Sequence, residues 1–219
     1  MESHTNQAIV LSGGEPIAIN GTFDLPRDAY VIAADSGLHH AEPLGLAVDL
    51  VIGDMDSVDP TLLDKAVRNG SSTQRHPADK DHTDLQLAFA AALSMGAKQI
   101  LVVGSHTGRL DHLLGSIGLF ATVAGLVDEI VWTDGRTEVT ACTPHHTATI
   151  NGRPGDRLSL VPTGNDAVRV TTDGLRWSLD AETLAAGSTR GLSNEMDASV
   201  ATIAVEEGTL LIVHERTQT

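Results

Sequence analysis

One cysteine, Cys142, stands in a chain of 219 residues, which excludes internal disulfides and a zinc site built from several thiolates. Aromatic residues make up only 3% of the chain, so Trp132 and Trp177 stand out in it. Basic residues are scarce as well: 14 Lys and Arg against 29 Asp and Glu leave a formal net charge of −15. Such a charge repels nucleic acid and anionic membrane alike, so an anionic ligand would need a cation to mediate. No apolar run approaches the roughly 20 residues that span a bilayer. The polar start "MESHTNQ" has no apolar core of a signal peptide, and a cytoplasmic protein is expected. Low-complexity segments and internal repeats are missing too.

Apolar residues nonetheless reach 41%, enough for a substantial core. From Gln7 to about Asp134 the runs "AIVLS", "AYVIAAD", "LVIGD", "QILVVG" and "EIVWTD" alternate with segments of helical period. Short Val- and Ile-rich runs of this kind suit strands buried on both faces of a parallel sheet, with helices crossing between them. The clearest helix follows Thr83, with Leu85, Ala88, Phe89, Ala92 and Leu93 on one face, "TDLQ" as a capping box and Gly96 at its end. A second is expected from Asp111 through Leu114, Ile117 and Phe120 to Ala124. After Asp134 the pattern changes to short β-branched runs punctuated by Gly, Pro, Asn and Asp: "TEVTACT", "TATING", "RLSLVP", "AVRVTT", "LRWSL", "ATIAV", "TLLIVHE". The expected architecture is therefore an α/β domain with a mainly parallel sheet over residues 1–134, followed by an all-β, sandwich-like domain over 135–219.

In an open α/β sheet, ligands bind beyond the carboxyl ends of the strands. One strand ends in Asp35-Ser36-Gly37, another in "GDMDS" with Asp54 and Asp56 two residues apart, and a third in Gly104 before "SHTGRLDH". Carboxylates at i and i+2 of an extended segment point the same way, and their charges repel unless they face water or hold a cation. Asp84 falls in the first turn of the helix after Thr83. Singly, Asp35 and Asp111 read as helix caps, Asp84 as a partner of the helix dipole, and Asp79-Lys80-Asp81 as a solvated turn. Together at one sheet edge, carboxylates, small residues and one Arg suit a magnesium-bound polyphosphate, because Mg²⁺ prefers carboxylate, water and phosphate oxygens. The pairs His39-His40 and His145-His146 diverge in helix or strand and read as surface histidines.

The ordered set "AADSG", "LVIGDMDSV", "DKDHTDLQLA" and "GRLDH" resembles the motifs of the thiamine pyrophosphokinases, and "GLRWSL", "LAAGSTRGLSNE" and "EEGTLLIVHE" resemble that family's C-terminal β-domain. The resemblance covers nearly the whole chain. It implies a homodimer, Mg²⁺ as the cofactor, and transfer of the pyrophosphoryl group of ATP to thiamine. Because the carboxylates and the thiamine residues fall in different halves of the chain, sites shared between the two subunits are expected. Carried over by position, it makes Asp54, Asp56 and Asp84 the metal ligands. Asp35, Lys80, Thr83, Arg109 and Asp111 become the nucleotide site, with Arg109 also catalytic. Trp177, Ser193 and Asn194 become the thiamine site. Two residues depart from the family pattern, Ser36 in "ADSG" and Thr107 before Gly108-Arg109. A Mg²⁺-dependent phosphohydrolase and a non-catalytic nucleotide-binding relative of the same fold are the competing expectations.

Overall fold

In the computed structural model, which describes residues 6–17, 25–79 and 81–217, the chain divides into two compact units. The described parts of Met1–Ser116 with Trp132–Gly135 make one, and those of Ile117–Val131 with Arg136–Thr219 the other. In chain order the elements are β1 (Gln7–Leu11), β2 (Tyr30–Ala34), a 3₁₀ turn (Asp35–His40), β3 (Leu50–Gly53), α1 (Pro60–Arg68), β4 (Ser72–Arg75), α2 (Asp84–Ser94), β5 (Gln99–Val103), α3 (Leu110–Ala124) and β6 (Glu129–Thr133). They continue with β7 (Thr137–Cys142), β8 (Ala148–Asn151), β9 (Arg157–Asp173), β10 (Glu182–Leu184), β11 (Asn194–Glu195), β12 (Val200–Ala204) and β13 (Glu207–Glu215).

In the first unit the strand order is β4-β3-β2-β1-β5, and the pairs β1–β2, β2–β3, β3–β4 and β1–β5 are all parallel. The chain steps outward from β1 through β4, then returns to the other side of β1 with β5. Alternation along the strands divides the apolar residues between two faces. Ile9, Leu11, Val31, Ala33 and Val51 join Leu38, Met55 and Val58 in one core, against which Leu62, Leu63 and Ala66 of α1 pack. The other face receives α2, which packs on β1, β2 and β3 through a buried side carrying Ala88, Phe89 and Ala92. Thr83 caps α2, its hydroxyl accepting from the Gln86 amide at 3.3 Å, and Gly96 follows the helix at φ 84° as its sequence position suggests. Strand β4, "STQR", is exposed along its whole length and offers no apolar signal, which is why pattern reading passes over it.

The second unit is β-rich. β13 lies antiparallel between β7 and β9, and β12 lies antiparallel between β9 and β8. No helix occurs among the described residues after Ala124. Two sequence readings are corrected here. "RLSLVP" and "AVRVTT" are a single strand, β9, because the Gly164-containing segment between them is a bulge, where the register to β13 shifts, rather than a turn. "LRWSL" is no strand; it is held by an isolated bridge, Leu175 to Met196, by hydrogen bonds to Thr172, Asn194 and Glu195, and by Leu175 and Leu179 in the core. The core holds Leu158, Leu160, Val170, Leu184, Ile203, Ile212 and the lone Cys142, fully buried.

Candidate active site

Parallel strands place all their carboxyl ends on one edge, and the first unit carries a cleft of about 680 Å³ there. Each strand delivers a short polar turn to it. β1 delivers Ser12-Gly13-Gly14, β2 delivers Asp35-Ser36, β3 delivers Asp54 to Ser57, and the segment after β5 delivers Ser105 and Thr107 to Arg109. Thr83 and Asp84 enter at the start of α2.

Asp35, Asp54 and Asp84 come together, with one carboxylate oxygen of each within 4.8 Å of the others. The backbone at Asp35 and at Gly53, the residue before Asp54, takes uncommon conformations to achieve this. Asp35 sits at φ 48°, a left-handed state that Asp tolerates better than most side chains. Gly53 sits at φ 149°, and a Cβ there would stand 2.9 Å from Asp84 Oδ1 and 3.1 Å from the Asp35 Cβ, so a glycine is required twice over. Asp35 is 7% exposed, its Oδ1 is buried with no hydrogen-bond partner, and its pKa is raised. Burial is the main cause, a bond from the Ser36 amide opposes it, and the charges of Asp84, Asp54 and Asp56 add to the rise. A buried carboxylate oxygen without a donor, beside two further acids, suits a divalent cation.

The structure brings Asp56 to the cleft but not into this group of three. The segment that carries it is not extended: Met55 turns through φ 66° and buries its side chain in the core. The i, i+2 argument therefore fails at this point. The exposed Asp56 donates its own amide to Asp54 Oδ1 at 3.2 Å and accepts from Ser57 Oγ at 2.8 Å. Asp35, read from sequence as a nucleotide contact, takes the third place.

Arg109 lines the cleft and is exposed, with Nη2 2.6 Å from Asp111 Oδ2 and Nε 3.2 Å from Oδ1. That pairing holds the Asp111 carboxyl below its ordinary pKa. Asp111 is thus the partner of Arg109 rather than one of the residues lining the cleft. Lys80 lies outside the described residues. Ser36 and Thr107, the two departures from the family pattern, both line the cleft. Thr107 is tied into its own loop, its amide 3.1 Å and its hydroxyl 2.6 Å from Ser105 Oγ. Sequence reading missed Ser12, Gly13 and Gly14 as lining residues, whereas Trp132, singled out there as one of two aromatic candidates, does line the cleft. For the first three the signal existed, since they directly follow the strand "AIVL" at its carboxyl end. Trp132 is 4% exposed, donates to the Gly104 carbonyl at 3.0 Å and lies beside the His106 ring.

The three residues expected to bind thiamine belong to the second unit. Trp177 is 53% exposed, with the Arg176 guanidinium 4.9 Å from its ring. The Asn194 side chain is buried and engaged at both ends: Oδ1 accepts from the Trp177 and Glu195 amides, and Nδ2 donates to the Trp177 carbonyl at 2.8 Å. Asn194 therefore holds the Trp177 segment in place. Ser193, at φ 60°, is exposed and binds Ser159 Oγ through its amide. The histidine reading needs correction as well, because His40 is 2% exposed and its pKa falls to about 4 through burial.

Two family models match the chain: "Thiamin pyrophosphokinase, catalytic domain" over residues 25–129, and "Thiamin pyrophosphokinase, vitamin B1 binding domain" over 145–210. Among curated proteins, thiamine pyrophosphokinase of Bacillus subtilis is 26% identical over 182 residues, 83% of this chain and 85% of that one. Thiamine pyrophosphokinase 1 of Oryza sativa subsp. japonica is 29% identical over 153 residues, 67% of this chain and 58% of the rice protein. The crystal structure of the Bacillus subtilis protein superposes with a TM-score of 0.84 at 23% identity, covering 97% of this chain and 100% of that one. That of the Geobacillus thermodenitrificans thiamin pyrophosphokinase gives 0.80 at 25% identity, covering 97% and 99%.

Proposed function

Since this chain belongs to the thiamin pyrophosphokinase family, we propose that it transfers the pyrophosphoryl group of ATP to thiamine, giving thiamine diphosphate and AMP. The observation that carries the reading is the convergence of Asp35, Asp54 and Asp84 in a cleft that also receives Arg109. Residues 1–134 form the catalytic domain with its mainly parallel sheet, and residues 135–219 the sandwich-like thiamine-binding domain. The protein works in the cytoplasm as a homodimer that shares its sites between subunits.

Attack of the thiamine hydroxyl on the β-phosphorus, its proton passing to a carboxylate of the cleft, breaks the bond to the α-phosphate oxygen and spreads negative charge over the non-bridging oxygens. Positioning and charge neutralisation are then most of the catalysis. Asp35, Asp54 and Asp84 would hold Mg²⁺, with the cleft-lining Asp56 as a further carboxylate. Bound there, the ion would neutralise and orient the phosphates. Arg109 supplies the second positive charge, in the bidentate form it already offers to Asp111. Phosphate would take the guanidinium from Asp111. Thr83 fixes Asp84 by capping α2, and Lys80 is carried over from the family pattern as a nucleotide contact. Trp177 presents an exposed ring to the cationic thiazolium, with Ser193 beside it and Asn194 holding the segment.

The decisive assay mixes the protein with Mg·ATP, with and without thiamine. AMP and thiamine diphosphate in equal amounts, formed only when both substrates are present, support the reading. Inorganic phosphate released without thiamine would instead make the protein a phosphohydrolase, and no product would leave it a binding protein.

A further inference from the structure

Ser12 is the first residue past β1, at the point where the chain's strand order reverses between β1 and β5. Its main chain is held at both ends. The amide donates to the Val103 carbonyl at 2.9 Å, and the buried His40 ring hydrogen-bonds the Ser12 backbone. The side chain is treated differently: Ser12 is 5% exposed, it lines the cleft, and its Oγ is buried with no hydrogen-bond partner. A buried hydroxyl left unpaired costs stability, on the order of 1–3 kcal/mol in proteins generally. An orphan of this kind at a cleft wall marks where a ligand atom docks.

The neighbours decide which atom. Gly13 packs so closely on the turn after β2 that a Cβ there would meet Ser36 Oγ, and Gly37 lies against the Leu11 and Ser12 backbone. Ser12 is thus set against the segment whose first residue, Asp35, belongs to the carboxylate group. On the other side, a Cβ on Gly104 would occupy the place of the Ser12 hydroxyl, so a glycine keeps it from being covered. In a cleft that already holds three acids, a hydroxyl has nothing to offer a cation that they do not supply better. What it can do is donate to the anion that the cation brings.

We infer that Ser12 Oγ donates a hydrogen bond to a non-bridging phosphate oxygen of the magnesium-bound nucleotide, making Ser12 a substrate-contacting residue at the β1/β5 switch point. The inference rests on the ATP-dependent reading above. Calorimetric titration with Mg²⁺ and α,β-methylene-ATP, which cannot be cleaved at the reacting bond, tests it on the parent and on Ser12→Ala. The dissociation constant should rise about 10- to 100-fold, as expected for a hydrogen bond to a charged group. The ligand-free variant should melt at or above the parent, because an unpaired buried hydroxyl has been removed. Equal affinity in the two proteins overturns the assignment to Ser12 while leaving the reaction standing. A ligand-free Ser12→Ala that melts several degrees lower also overturns it, by showing the hydroxyl to be structural. Absence of binding by the parent overturns the ATP reading and this inference with it.

Discussion

At the scale of single residues, the site is a balance between like charges and the backbone that forces them together. Asp35 carries the balance most visibly, since burial and three neighbouring carboxylates disfavour its ionised form. A carboxyl whose folded pKa lies above its unfolded value destabilises the metal-free fold at neutral pH. Asp35→Asn should therefore raise the melting temperature in EDTA at pH 7 while lowering Mg²⁺-dependent turnover on the order of a thousandfold, the scale of several kcal/mol of lost charge stabilisation. A variant that melts lower in EDTA would mark Asp35 as a structural residue. Gly53 acts in the opposite sense. Gly53→Ala meets both an unfavourable φ of 149° and the Asp84 and Asp35 side chains. It should cost roughly 1–3 kcal/mol in urea unfolding and reduce turnover with it. Unchanged stability and activity would show that the carboxylates move aside freely.

At the scale of elements, the turn Asp35–His40 links the carboxylate group to the buried His40 ring. The native protein keeps His40 neutral down to about pH 4, whereas the unfolded chain protonates it near pH 6.5. Below pH 6.5 the unfolded state therefore binds more protons, and stability falls as pH drops, by roughly 2 kcal/mol between pH 6.5 and 5. Asp35, with its raised pKa, works against this trend at the lower end of the window. His40→Asn keeps a donor for the Ser12 backbone without the titration, so its urea midpoint should fall less than the parent's between pH 7.5 and 5. Parallel losses in the two proteins would locate the acid sensitivity elsewhere. The capped helix α2 was legible residue by residue, because Thr83, the apolar face and Gly96 are local signals. α1 has a similar local signal in Asp59 and Pro60, the Asp59 side chain accepting from the Thr61 amide at 2.7 Å.

At the scale of the whole molecule, the proposed shared site makes a prediction that neither unit makes alone. A two-fold dimer holds two equivalent sites. If each draws its carboxylates from one subunit and its thiamine contacts from the other, two inactive variants can rescue one another. Asp54→Asn and Trp177→Ala are suitable partners, since Trp177 is exposed and its loss leaves little packing undone, whereas truncating Asn194 would free the segment it clamps. Mixed after subunit exchange, they should recover up to about a quarter of parental activity, one intact site in each mixed dimer and half of the dimers mixed. No recovery, once exchange is confirmed by mass-tagged subunits, would place each site within one chain. The sequence by itself determined the α/β-then-β order of the chain, most of the strands and the capped helix, because hydrophobic period and turn residues are local properties. It also brought Asp54, Asp84 and Arg109 to one edge, because parallel strands of any register share that edge. Only the tertiary structure decided that Asp35 replaces Asp56 in the carboxylate group, since a left-handed turn at a buried Met55 redirects the chain. Only it showed β9 as one bulged strand, His40 as a core residue, and Ser12 as a hydroxyl left without a partner. Each of these depends on what a distant segment packs against, and no local pattern encodes that.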